Sequence, residues 1–328
     1  MCRTALGIVT GALVALAALA VPAAATAQSF PSKPVRIVVP YPAGGATDYV
    51  TRLIGERLSK SLGQPVIVEN KSGAAGAIGV SEVARAEADG HTILVTINDP
   101  LVNNTALFRK LPYDPRKDLV FVAQILRSPA LISAATGAGI ADFAALRAKV
   151  AKGEKMTYAS WGIGGLGHLA GESLNRAMKA GMVHVPQRGE GPVVQDLLSN
   201  TVTIGLSSVA TALQHVAAGK IVPLAMMGSE RSTALPNVPT LRELGFDDPL
   251  YVASVWMAAL VPVGTPPAVV AKLSTEIRTI ANSGEVRKAL IDRGFEMMVT
   301  TPEQARDNYA AEFDVVTNRI RELGIEPQ

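Results

Sequence analysis

The sequence predicts an α/β fold of two lobes. Short runs rich in Val and Ile alternate with segments of helical period. The alternation runs through the N-terminal third, restarts near residue 155, and has no low-complexity linker between its two arrays.

The elements follow in order. Residues 1–27, MCRTALGIVTGALVALAALAVPAAATA, carry one basic residue, Arg3, then an apolar run ending in Ala25-Thr26-Ala27, the pattern of a cleaved signal peptide. The strongly apolar part, Leu6 to Val21, is short of the roughly 20 residues that span a bilayer. Cleavage after Ala27 removes the only cysteine, Cys2, and leaves about 300 residues with no disulfide chemistry.

VRIVVPY at 35–41, VIVEN at 66–70 and TILVT at 92–96 read as buried strands separated by helices, a βαβαβ signature. In the first helix Thr47 or Asp48 can cap the start, Val50, Leu53, Ile54, Leu58 and Leu62 make one apolar face, and Gly63 can end it. The second runs from about Gly76 to Ala88. LPYDPRKDLVFVAQIL is a loop and a strand, PALISAA is extended, and DFAALRAKVAKG is a helix. Strands then fall near 155–160, 182–186, 202–206 and 221–227, with helices at 167–180, 190–199 and 209–219.

YVASVWMAALV is a β-rich run that can return the chain to the first lobe. After it, Thr265-Pro266 opens a helix as N-cap and first-turn proline, and Thr301 to Gln304 has capping-box spacing. These elements give lobe 1 as 28–125 and 248–328 and lobe 2 as 126–247.

Two Gly-rich turns join a strand to a helix. In VPYPAGGATDYV, backbone N–H groups around Ala43, Gly44, Gly45 and Ala46, with Tyr41 before them and Thr47 and Asp48 at the helix start, can face an anion. In SWGIGGLGHLAGESL, Gly162, Gly164 and Gly167 spell G-x-G-x-x-G, the spacing of a dinucleotide pyrophosphate cradle. That chemistry also needs an acid about 20 residues on, at the next strand's end. There the chain has Gln187-Arg188-Gly189, so no cofactor is expected.

No metalloprotease, dithiol or serine-hydrolase signature appears, and His91, His168, His184 and His215 are scattered, so neither a catalytic nor a metal site is expected. Lysines and arginines are dispersed among nearly as many acids and aromatics are 5%, which argues against nucleic-acid binding. His168 can donate to a ligand, and Trp161 either walls a ligand or packs its loop.

The segment from PVRIVVPYPAGGATDYVTRL to DGHTILV, with LPYDPRKDLVFVAQIL, VHVPQRGEGPVVQDLLSNTV, LPNVPTLRELGF and LVPVGTPPAVVAKL, resembles the substrate-binding proteins of tripartite tricarboxylate transporters, the Bug receptors. The resemblance covers nearly the whole mature chain. It implies a two-lobed, type II-like periplasmic solute-binding protein, each lobe a mainly parallel sheet flanked by helices, joined by a hinge of crossing strands.

Such a receptor is a monomer that closes on a small carboxylate and hands it to integral membrane permease subunits. The family's ligand-holding loops match Tyr41 to Asp48 and Ala159 to His168 here. A receptor for a sensor kinase, or an exported enzyme on the same fold, are the alternatives.

Where relatives resemble YASAGNGTSSHLAGE, this chain has YASWGIGGLGHLAGE, so Trp161, Ile163, Gly165, Leu166 and Gly167 replace mostly polar residues. VDLMFDN becomes VTIGLSS, placing Thr203, Ser207 and Ser208 where acids and Asn are usual, and VPYKG becomes VPQRG, bringing Arg188 near the cleft. An acid at Ser207 could pair with a ligand ammonium, so its loss argues against an amino-acid ligand. A less polar second lobe suits an aromatic or longer aliphatic carboxylate held mainly by the first loop. The expected ligand residues are Tyr41, Ala43 to Asp48, Ser160, Trp161, Gly162, Gly164, Gly165, His168, Arg188 and Ser207.

Overall fold

A computed structural model describes residues 30–325 and Pro327. The expected leader and its cleavage site lie outside the described residues.

The first sheet has six strands. β1 (Val35–Val39) pairs parallel with both β2 (Val66–Asn70) and β3 (Thr92–Ile97). β4 (Leu119–Ser128) joins it through β10 (Val255–Pro262), which runs antiparallel to both β3 and β4, and β11 (Glu296–Met297) closes the edge on β4. The second sheet has the order β7-β6-β8-β5-β9. Its strands are β5 (Ala130–Ala135), β6 (Thr157–Ser160), β7 (Val183–Pro186), β8 (Ile204–Ser208) and β9 (Ile221–Met226). β6 is parallel to β7 and β8, while β5 is antiparallel to β8 and β9.

Both sheets are therefore mixed. Each carries strands that run against its βα array, β10 and the short β11 in the first and β5 in the second. Only Pro129 separates β4 in the first sheet from β5 in the second, and β10 brings the chain back. These are the crossing strands.

The helices cover the sheets. α1 (Ala46–Leu62), α2 (Ala77–Ala84) and the short α3 (Asn104–Leu107) belong to the first array. α4 (Phe143–Ala151), α5 (Leu166–Met178), α6 (Glu190–Leu198) and α7 (Val209–Ala217) belong to the second, and α8 (Pro267–Asn282), α9 (Gly284–Ile291) and α10 (Pro302–Glu322) end the chain. Val50, Ile54, Leu58 and Leu62 form the buried stripe of α1, and Gly63 ends it in a left-handed conformation, as its periodicity predicts. α2 is shorter than expected, stopping at Ala84 and entered through a one-turn 3-10 helix at Ala74–Gly76.

At α8 the N-cap is Pro266, and Thr265 instead donates its hydroxyl to the Pro262 carbonyl. The Thr301 capping box on α10 is complete.

One apolar cluster runs from Val38, Leu94 and Leu107 of the first array through Trp161, Leu166 and Leu206 of the second to Trp256 and Tyr309. The two sheets thus share a core across their junction. Each fully buried aliphatic or aromatic side chain there contributes about 1.5–3 kcal/mol. α10 crosses the junction: Asn308 donates to Gln124 of β4, while Arg319 pairs with Asp248 at 2.6 Å and Arg176 of α5 donates to the Leu323 carbonyl at 2.6 Å.

Candidate functional site

β1 and β6 each end in a Gly-rich turn that opens a helix, α1 and α5. At such a turn the first helical N–H groups have no intrahelical partner and point at whatever lies beyond the strand ends.

At the first turn the N-cap of α1 is Gly45 rather than Thr47 or Asp48, and no side chain caps it. Thr47 and Asp48 are drawn into the buried first turn. Asp48 reaches back: it accepts from the Gly44 N–H at 2.9 Å, from Asn70 at 3.0 Å and from Arg52 Nε at 3.0 and 3.1 Å. Burial works against the charge, but these donors hold the carboxyl below its ordinary range. Asp48 is therefore a loop holder. Gly44 has φ 85°, a left-handed conformation that favours glycine. Ala43, Gly44 and Gly45 are exposed, and the amides of Ala46 and Thr47, the first of α1, have no intrahelical acceptor. The Tyr41 hydroxyl is buried without a hydrogen-bond partner among the described residues, and burial followed by the Asp99 charge raises it well above an ordinary phenol.

The second turn is bound largely to itself. Ser160 is fully buried, donates to the Gly162 carbonyl at 3.2 Å and lies 2.8 Å from His184 Nε2. His168, expected to face a ligand, accepts the Gly164 N–H on Nδ1 at 2.9 Å and stacks on His184 with centroids 4.0 Å apart. Burial lowers His168, and burial with the neighbouring His168 lowers His184 to about 4, so the stacked rings are neutral at pH 7. Gly164, at φ 74°, lies where a Cβ would overlap Leu107 of the first array.

The residue that ties the second turn to the first array is Asp99, just past β3. Trp161, only 8% exposed, packs its ring over Gly167 and donates Nε1–H to Asp99 Oδ2 at 2.8 Å. Leu166 N–H, the first amide of α5, donates to Asp99 Oδ1 at 3.3 Å. Asn103 donates to Asp99 at 3.3 Å and to the Gly164 carbonyl at 2.8 Å. Burial pushes the Asp99 carboxyl up to about 6, with Glu312 and Glu190 adding to the rise while the Trp161 and Leu166 donors oppose it. Trp161 thus has its polar edge spent within the protein, and Leu166 is buried beside it.

The sequence reading missed Asp99. The available signal was Asn98-Asp99-Pro100 at the C-terminal end of a parallel strand, the edge where α/β ligands bind.

Ser207 near the end of β8 is fully buried, with its hydroxyl unpartnered among the described residues. Beside it, Glu190 accepts from Ser208 N–H at 3.0 Å, from Ser208 Oγ at 2.6 Å and from Thr211. Arg188 is exposed on the turn after β7, with no ion pair among the described residues, and Ile163 is 45% exposed. The structure therefore brings Tyr41 to Asp48 and Ser160 to His168 to corresponding sheet edges and joins the lobes through Asp99. Arg188 stays on the surface.

The profile of the tripartite tricarboxylate transporter family receptor matches residues 50–324. The chain belongs to this family. The receptor is 34% identical over 318 residues to Protein BugT of Bordetella pertussis, covering 96% of each chain. Among solved structures it is similar to R. palustris Rpa4515 with adipate, at TM-score 0.85 and 29% identity, covering 91% of this chain and 100% of that one. It is also similar to MatC of Rhodopseudomonas palustris with bound malate, at TM-score 0.76 and 31% identity, covering 90% and 98%. The two-lobed, type II-like fold is that of these receptors.

Proposed function

We propose that this receptor captures a small carboxylated organic acid, aromatic or longer aliphatic, between its lobes in the periplasm and delivers it as a monomer to the integral membrane permease subunits of a tripartite tricarboxylate-type transporter. Lobe 1 is then 28–125 with 248–328 and lobe 2 is 126–247; β4 runs on in the first sheet to Ser128, so the hinge of this reading is at Pro129.

The observation that carries this reading is the start of α1. Its N-terminus has no side-chain cap, its approach turn is exposed, and the Asp48 network fixes its shape. The partial positive charge there and the Ala46 and Thr47 amides suit one carboxylate. The buried hydroxyls of Tyr41 and Ser207, without partners among the described residues, offer further polar contacts. Two relatives of similar fold carry adipate and malate in their solved structures, which supports a carboxylate ligand. A ligand touching both lobes favours the closed population.

The reading involves no covalent chemistry. Ser160 and His184 come nearest to a nucleophile and base, but a ring held near 4 is a weak base at neutral pH. A thermal-shift screen of the mature protein against aliphatic and aromatic carboxylates tests the proposal. A bound acid at 100 times its Kd adds about 2.7 kcal/mol to stability, so at least one should raise Tm by several degrees. Silence across all carboxylates, with turnover of an ester or redox substrate, would sink it.

A further inference from the structure

The two helix N-termini of the cleft are not equivalent. That of α1 has no side-chain cap, whereas the first amide of α5 is bonded to a carboxylate supplied by the opposite lobe. We propose that Asp99 is a built-in carboxylate that fills the second anion position of the cleft, so that this receptor selects monocarboxylates and rejects dicarboxylates of the same length. The inference rests on the carboxylate reading above.

Three observations carry it. The Asp99 carboxylate bridges the groups a ligand carboxylate on lobe 2 would use: Leu166 N–H at 3.3 Å and Trp161 Nε1–H at 2.8 Å. The place is shut around it. Asp99 is 7% exposed, and a Cβ added to Gly165 would lie 2.8 Å from Asp99 Oδ2 and 3.0 Å from Trp161 Nε1. Two further amides of this turn are already bonded, Gly164 N–H to His168 and Gly165 N–H to the Gly162 carbonyl. A second ligand carboxylate brought to the Leu166 amide and the Trp161 indole would face Asp99 itself. The field adds to the exclusion, because Glu190 and Glu312 both act on Asp99 as like charges and the Asp99 carboxyl, at about 6, is ionised at neutral pH.

The ligand therefore places its one carboxylate on α1 and meets lobe 2 with an uncharged end. Ser207, fully buried with its hydroxyl unpartnered among the described residues, is one polar group of lobe 2 suited to that end.

Calorimetric titration of the mature protein at pH 7.5 with hexanoate and with adipate, acids of one chain length, tests this. Hexanoate should bind at least about tenfold tighter than adipate, the size of one 1.4 kcal/mol coupling. Asp99→Ala frees the α5 amide and should shift the ratio of the two affinities towards adipate by about tenfold or more. Asp99→Asn keeps an acceptor for Trp161, removes the charge, and should move the ratio in the same direction if the alanine variant does not fold. Wild-type protein that binds adipate as tightly as hexanoate, or a ratio that both variants leave unchanged, overturns the proposal while leaving the carboxylate reading intact. Failure of every protein to bind either acid overturns the monocarboxylate proposal, and the carboxylate reading falls with it only if the thermal-shift screen is also silent.

Discussion

Asp99 and His184 both touch the second Gly-rich turn, yet burial shifts their pKa values in opposite directions. The folded state raises Asp99 to about 6, above its ordinary 3.8, so between those values the folded protein holds a proton that the unfolded chain releases, and this contribution to stability falls as pH rises. His184 is lowered from 6.5 to about 4, so the unfolded chain binds the extra proton and stability is lost as pH falls through that window. Melting curves from pH 4 to 7 should show Asp99→Asn gaining relative to wild type towards pH 7 and His184→Gln gaining towards pH 4. Parallel pH profiles for wild type and both variants would contradict the assignment. The sequence made the glycines and Asp48 legible because turn chemistry is local. Asp99 escaped because its partner Trp161 lies 62 residues away and neither residue belongs to a motif.

At the level of elements, α5 is fixed by its small residues. A Cβ at Gly167 would overlap the Trp161 ring, and one at Gly171 would overlap Tyr158. Gly167→Ala should therefore cost about 1–3 kcal/mol in urea unfolding, the usual range for overpacking. An unchanged midpoint would show the indole free to move. Strands and helices of the two arrays were readable from periodicity because each βα unit buries its own face. The reversal of β5 and β10 was not, since an apolar run such as WMAALV carries no direction. Two short elements, α3 and β11, are held by packing rather than by pattern. In the candidate site, the α1 turn was legible from its glycines, whereas the cap on α5 comes from another lobe and has no local signature.

Across the whole molecule, the lobes meet through a shared apolar core, the Asp99 bridge and α10. Arg319 ties α10 to Asp248, whose side chain is 8% exposed and also bonds Ser173 of α5. Removing the guanidinium leaves that carboxylate without its cationic partner. Arg319→Ala should destabilise the protein by about 2 kcal/mol, less than a fully buried pair because Arg319 is 29% exposed. Unfolding in urea reads this directly, and a change within error would mean that the core alone holds the junction.

The central claim is that a ligand carboxylate sits on the first turn of α1. An assigned amide spectrum of the mature protein, titrated with an acid found to bind, tests it at the atoms concerned. The largest downfield shifts are expected at the Ala46 and Thr47 amides, with the Trp161 indole signal nearly unmoved because its N–H stays on Asp99. Shifts that spare Ala46 and Thr47 and gather elsewhere, for instance at the groove between Ile78 and Phe108, would contradict the account.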